Sequence, residues 1–182
     1  PTSKTVFYAG GYSYSTTVLN LSGVRQYEVG LASPLNVAVG LEAREEQYQI
    51  VAGEADSWRN GGFNLANGTP APSGAQVFPG FRPTNATDVT RSSVGAYIDL
   101  EANVTDKLLM SAAVRAESYS DFGEALTGKL AARYDFNDVF GIRGSIQNGF
   151  RAPSLQQQFF TATSTNFING IPFEITTFPA TS

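Results

Sequence analysis

The sequence predicts an all-β chain, an antiparallel up-and-down meander whose strands are long enough to cross a bilayer. Three observations lead there: strict alternation of apolar and polar residues in five segments, connections that alternate between tight and long, and a composition low in charge but rich in Gly, Tyr and Phe. In a strand, alternation sends successive side chains to opposite faces. The first clear segment places Leu35, Val37, Val39, Leu41 and Ala43 on one face against Asn36, Ala38, Gly40, Glu42 and Arg44, and its apolar face stops at Glu45. The second sets Val94, Ala96, Ile98, Leu100 and Ala102 against Tyr97, Asp99, Glu101 and Asn103. The third sets Leu108, Met110, Ala112, Val114 and Ala116 against Ser111, Arg115 and Glu117. The fourth sets Leu126, Gly128, Leu130, Ala132, Tyr134 and Phe136 against Thr127, Lys129, Arg133 and Asp135, and the fifth sets Phe140, Ile142, Gly144 and Ile146 against Arg143, Ser145 and Gln147.

Four of the five apolar columns span about nine to eleven residues, the length a tilted strand needs to cross a bilayer core, and the fifth, from Phe140 to Ile146, spans seven. Strands of soluble proteins usually stop at about five or six. Both signs of charge stand on the polar faces, which is costly in a dry core and ordinary on a wet barrel lumen. The meander therefore reads as the wall of a transmembrane β-barrel.

Ser33-Pro34, Thr105-Asp106 and Asn137-Asp138 read as tight turns, whereas residues about 49–91 and 150–182 read as long polar loops rich in Gly, Pro, Asn and Thr. Short turns on one side and long loops on the other match the asymmetry of outer-membrane barrels. The long loops then face outward, and Tyr134, Phe136 and Phe140 fall near a periplasmic turn as an aromatic girdle. The first third is less regular. Tyr27, Val29 and Leu31 would face lipid as a strand entering the Ser33-Pro34 turn, a parity that also puts Arg25 on the lipid face unless a bulge intervenes. Residues 5–14, with Phe7, Tyr8, Tyr12 and Tyr14, read as a further strand of either parity.

Composition excludes several functions. Charged residues make up 15% of the chain, against roughly 25% in soluble domains. The net charge of −4 offers no basic surface for a phosphate backbone, so nucleic acid is not an expected partner. There is no cysteine and no histidine, which removes disulfides, thiolate metal sites, imidazole bases and Ser-His-Asp triads together. No catalytic residue, metal site or cofactor is expected. The chain opens on Pro1 with no signal-peptide pattern and is expected to be a segment of a longer protein. Two other architectures would also suit alternating strands: a complete small barrel of about eight strands with a structural or adhesion role, and a secreted β-sandwich that binds carbohydrate.

Several motifs occur together. Gly149-Phe150-Arg151-Ala152-Pro153-Ser154-Leu155-Gln156-Gln157 follows Tyr119-Ser120-Asp121-Phe122-Gly123 and Gly128-Lys129-Leu130-Ala131-Ala132-Arg133-Tyr134, with VAVGLEAREEQYQIVAGEADSW at 37–58 upstream. In combination these resemble the barrel domain of TonB-dependent receptors over roughly residues 27–160. The resemblance implies a barrel of about 22 strands, plugged by an N-terminal domain and energised by TonB through a short box. It implies a place in the bacterial outer membrane and import of a scarce extracellular nutrient, such as a siderophore or an oligosaccharide. The whole of 1–182 then reads as partial barrel wall, with the plug domain and TonB box outside this chain.

Candidate ligand groups fall on the loops. Trp58, Arg59, Asn60, Gly61, Gly62, Phe63 and Asn64 join an aromatic platform to planar hydrogen-bonding groups, suited to a small-molecule ligand or else to a loop whose aromatics pack on one another. Phe81 and Arg82 extend the same loop with the side-chain types enriched at binding hot spots. Arg151 is either a cation for ligand or plug, or the partner of a nearby carboxylate where Pro153 ends the strand. Glu42, Arg44 and Glu46 either line a path or solvate the inner wall. Asp121 with Glu124, and Glu54 with Asp56, pair carboxylates but supply too few oxygens for calcium.

Overall fold

The computed structural model describes residues 4–75 and 78–179. Each alternating segment forms a strand, because β-branched, aromatic and small side chains at every second position fit a pleated surface. The strands are β1 (Gly10–Tyr27), β2 (Leu35–Ala52), β3 (Thr87–Thr105), β4 (Leu108–Tyr119), β5 (Gly123–Asp135) and β6 (Gly141–Gln147), paired in the order β1-β2-β3-β4-β5-β6. Two further strands, β7 (Ala162–Ile168) and β8 (Ile171–Thr177), form a separate hairpin, and two short helices, α1 (Ala55–Trp58) and α2 (Leu155–Phe159), interrupt the loops. Contacts gather the chain into two units: Pro1–Ser15, Glu46–Thr90 and Pro153–Ser182 in the first, and Thr16–Glu45 with Arg91–Ala152 in the second.

In the second unit the meander has the expected faces. Leu100 pairs with Ala112, Ala112 with Leu130 and Leu130 with Ile146, so one apolar row runs across four strands. Tyr97 pairs with Arg115, Arg115 with Thr127, and Arg133 with Arg143 on the opposite face. Along β3 and β4 burial is inverted relative to a soluble sheet, and on β5 and β6 both faces are largely exposed. Leu130 and Ile146 are 58% and 74% exposed, whereas Arg91 on the polar face is 4% exposed. A sandwich would have packed those apolar residues against a second layer. Their exposure rules that alternative out and leaves a continuous apolar face of the kind that marks a membrane surface.

The turns explain the register. Thr105 Oγ1 accepts hydrogen bonds from the Lys107 and Leu108 amides at the two-residue turn between β3 and β4, after a bulge between Asn103 and Thr105. Asn137 Oδ1 accepts from the Val139 and Phe140 amides between β5 and β6. There Tyr134 and Phe136 meet edge to face and Phe136 stacks on Phe140. β6 stops because the Asn148 side chain replaces the next backbone pairing, accepting from Gly128 N and donating to Leu126 O. Gly40 faces the Tyr97 ring so closely that a Cβ there would push the ring aside.

Four expectations need correction. Residues 5–14 are not a strand of their own: β1 starts at Gly10 and continues to Tyr27. Val29 and Leu31 lie in the connection 28–34, so Ser33-Pro34 ends a longer connection and not a tight turn; Gly30 supplies a left-handed φ of 78° there. Arg25 stands over the Tyr27 ring at 5.4 Å, which keeps its charge against an aromatic face at the strand end. The loop read as 49–91 is confined to 53–86, because β2 continues past Glu45, Gln47 and Gln49 to Ala52 and β3 already begins at Thr87.

The first unit has its own small core of Tyr48, Ile50 and Leu155, with Phe81, Val89 and Phe160 packed against it. Loop 53–86 folds around Ser57, which is fully buried and whose carbonyl accepts from the Ala75 and Gly80 amides. The region read as loop 150–182 contains α2 and the β7–β8 hairpin.

Candidate functional site

The loop residues singled out from the sequence divide into supports and exposed groups. Trp58 donates its indole N–H to Gly53 O at 3.1 Å, and Phe81 packs edge to face on Tyr12 and Phe160. Both therefore hold the loop in place. Asn60 donates to Ala71 O and to Ser73 Oγ, and its own Oδ1 caps the Gly62 amide. Phe63 is 75% exposed. Arg59 is also exposed and pairs with Asp56 at 2.6 Å. These two stand at the base of a small hairpin tip, in which Phe63 O accepts from Ala71 N and Leu65 pairs with Thr69.

Arg82 is half-buried and sits at the centre of a polar network. Its Nη2 lies 2.7 Å from Glu174 Oε1 on β8, and the same oxygen accepts from Ser73 Oγ. Asn85 accepts from the Arg82 amide and donates to Thr161 Oγ1. The Ser73 hydroxyl and the Arg82 guanidinium hold the Glu174 carboxyl below the usual carboxylate range. Sequence reading missed Glu174 altogether, because it stands on a distant hairpin. At the start of the loop, Glu54 accepts from the Tyr8 amide and pairs with Lys4, which lowers its carboxyl in the same way.

The motif residues from 149 onward have mainly local roles. Ser154 and Gln157 form a reciprocal capping box at the start of α2, which satisfies two amides and delivers Leu155 into the core at 1% exposure. Arg151 is exposed and makes no ion pair among the described residues.

In the second unit, Tyr119, Phe122 and Phe150 pack edge to face on one another, so the YSDFG and GFRAP segments meet. The buried Arg91 guanidinium lies 5.8 Å from the Tyr119 ring and 5.7 Å from Phe122, with Asp121 at 3.5 Å. Sequence reading overlooked Arg91, which looks like one more polar residue of an alternating strand. On the polar face Arg115 bridges Glu42 and Glu117, and Arg44 pairs with Glu42. A groove of about 570 Å³ on that face is lined by Ser111, Lys129, Arg133 and Arg143. Among the described residues no cluster of three metal-ligating side chains occurs. Asp56 and Glu54 each face a cation, as does Asp121.

Exposed apolar columns of bilayer-crossing length, opposed by charged faces, define a transmembrane β-barrel wall with folded loops. Residues 2–177 match the family described as TonB dependent receptor-like, beta-barrel, and the chain belongs to that family. Proteins of this family reside in the bacterial outer membrane. Among solved structures the chain is similar to the siderophore receptor PirA from Acinetobacter baumannii, with a TM-score of 0.61 and 18% sequence identity. The likeness covers 92% of this chain and 22% of PirA, so the chain spans about a fifth of that receptor's length. At that identity the likeness speaks for the fold alone. No curated protein matches the sequence.

Proposed function

We propose that this chain supplies part of the wall and two outer loops of a TonB-dependent receptor that captures a scarce nutrient, a siderophore or an oligosaccharide, at the bacterial outer membrane. The observation that carries the reading is the hydrogen-bonded loop segment 53–75 with Phe81 beside it, which fixes exposed Phe63 and Arg59 on a framework held by Trp58, Asn60 and Phe81. Loops on a rigid scaffold carry recognition, and aromatic and guanidinium groups dominate binding energy. Arg82 belongs to the same unit as this loop, and Arg151 is a separate candidate in the second unit. The apolar face meets outer-membrane lipid and the charged face meets the plug domain of the same receptor, while TonB is engaged through a segment outside this chain. The chain performs no covalent chemistry.

The test uses the intact receptor in its own membrane, with residues 62–71 replaced by a short Gly-Ser linker. This removes the hairpin tip and leaves Trp58, Ser73 and Arg82 in place. Binding and uptake are measured with a panel of ferric siderophores and labelled oligosaccharides. The expected outcome is normal assembly with at least a tenfold loss of binding for the compound that the parent receptor imports. Unchanged binding and uptake would overturn the role of this loop.

A further inference from the structure

Glu174 sits in a receptor for a carboxylate that is built from another part of the first unit. It lies on β8 opposite Thr165 and is the only acidic residue of the hairpin β7–β8. A single oxygen of its carboxylate meets both Ser73 Oγ and Arg82 Nη2. The groups that receive it are well fixed. Ser73 is 3% exposed and its Oγ accepts from Asn60, while the Arg82 backbone is held by Asn85, itself 5% exposed. Arg82 Nε is buried and has no partner among the described residues. A guanidinium binds a carboxylate best through two parallel N–H···O bonds. Glu174 engages one arm of this fork and leaves the other unused.

We infer that Arg82, Ser73 and Asn60 form a binding site for a carboxylate group of an external ligand, and that Glu174 occupies it as an internal stand-in until the ligand arrives. The inference rests on the proposed capture of a ligand by these loops and deepens it by naming the chemical group recognised. A ligand carboxylate that engages both Nε and Nη2 of Arg82 displaces Glu174. The hairpin β7–β8 then loses its tie to loop 53–86. A tethered carboxylate acts at an effective concentration on the order of millimolar, so a ligand with no further contacts competes poorly against it. Removal of Glu174 should therefore uncover the site for a small free acid.

The experiment uses full-length receptor in detergent, with acetate as the probe, sodium chloride at equal ionic strength as control and hydrogen exchange of segments 78–85 and 162–175 as readout. In Glu174→Ala, exchange of 162–175 should rise at least fivefold, and acetate should slow exchange of 78–85 with at least tenfold tighter apparent affinity than in the parent. Adding Arg82→Gln should abolish the acetate effect. Glu174→Gln, which keeps the shape and loses the charge, should raise exchange of the hairpin in the same direction. Equal acetate response in parent and Glu174→Ala, or a response that survives Arg82→Gln, would overturn the site. If that happens while replacement of 62–71 still lowers uptake, ligand capture by the loop stands without this site. An acetate response with unchanged uptake upholds the site and removes the role of the hairpin tip.

Discussion

Leu155 and Glu174 illustrate how single residues tie the loops of the first unit together. Leu155 is 1% exposed against Tyr48 and Ile50, and truncating such a side chain costs about 2–5 kcal/mol. Leu155→Ala should therefore raise amide exchange across α2 and the ends of β2 and β3, with little change in the membrane-crossing strands. Equal protection in the variant would show that the core is not what holds α2. Glu174 yields a pH dependence whose sign is fixed by its lowered pKa. A carboxylate favoured by the fold contributes stability above its unfolded pKa and loses it as pH falls through the lower folded value. The hairpin β7–β8 should thus be most protected near neutral pH and open progressively below the ordinary carboxylate range, and Glu174→Gln should be flat over that window. Sequence alone could flag Arg82 and Asn60, because guanidinium and amide groups in a long loop are candidates on chemistry. It could not supply Glu174, whose contact with Ser73 spans 101 positions along the chain and follows no local pattern.

At the scale of strands, faces were the most legible feature and ends the least. Period-two alternation sorts Leu100, Ala112, Leu130 and Ile146 onto one face because burial and pleat have the same period, and pairing then locks them into one row. Alternation carries no signal where both faces become polar or mixed. For that reason the apolar column of β2 ends at Ala43, although the strand continues past Glu45 to Ala52, and the irregular start of β1 reads as separate pieces. The apolar row gives a direct prediction. Leu130→Arg places a cation on the lipid face near the middle of the columns and should destabilise the inserted barrel by about 2–4 kcal/mol. Its neighbour Lys129 lies on the opposite face, and Lys129→Gln should change unfolding in phospholipid vesicles by less than about 0.5 kcal/mol. Similar losses for the two variants would invalidate the assignment of faces. Gly40 adds a second test, since Gly40→Val forces the Tyr97 ring aside and overpacking costs about 1–3 kcal/mol. Tyr97→Ala combined with Gly40→Val should recover part of that loss.

At the scale of the molecule, surface area and strand edges point the same way. The accessible surface is 12597 Å², against roughly 8,500 Å² for a folded soluble monomer of this mass. The excess includes the exposed apolar columns, which lipid can cover. Lipid cannot cover the edges. β1 and β6 end the six-stranded sheet, and their outer N–H and C=O groups have no strand beside them in this sheet. Unsatisfied backbone groups each cost several kcal/mol in hydrocarbon, so an open sheet does not remain in a bilayer unless further strands close it. This counts against the complete small barrel: the eight strands divide into a six-stranded sheet and a separate hairpin, with no closure among the described residues. The 182-residue chain produced alone and refolded into detergent should therefore form concentration-dependent oligomers through edge pairing, with no compact monomer whose electrophoretic migration shifts on heating. The intact receptor should run as a heat-modifiable monomer under the same conditions, because its remaining strands satisfy both edges. Sedimentation velocity across a tenfold concentration range, beside heated and unheated electrophoresis, distinguishes the two. A heat-modifiable monomer of the isolated chain would mean that β1 and β6 can close on each other, and the small-barrel architecture would have to be restored.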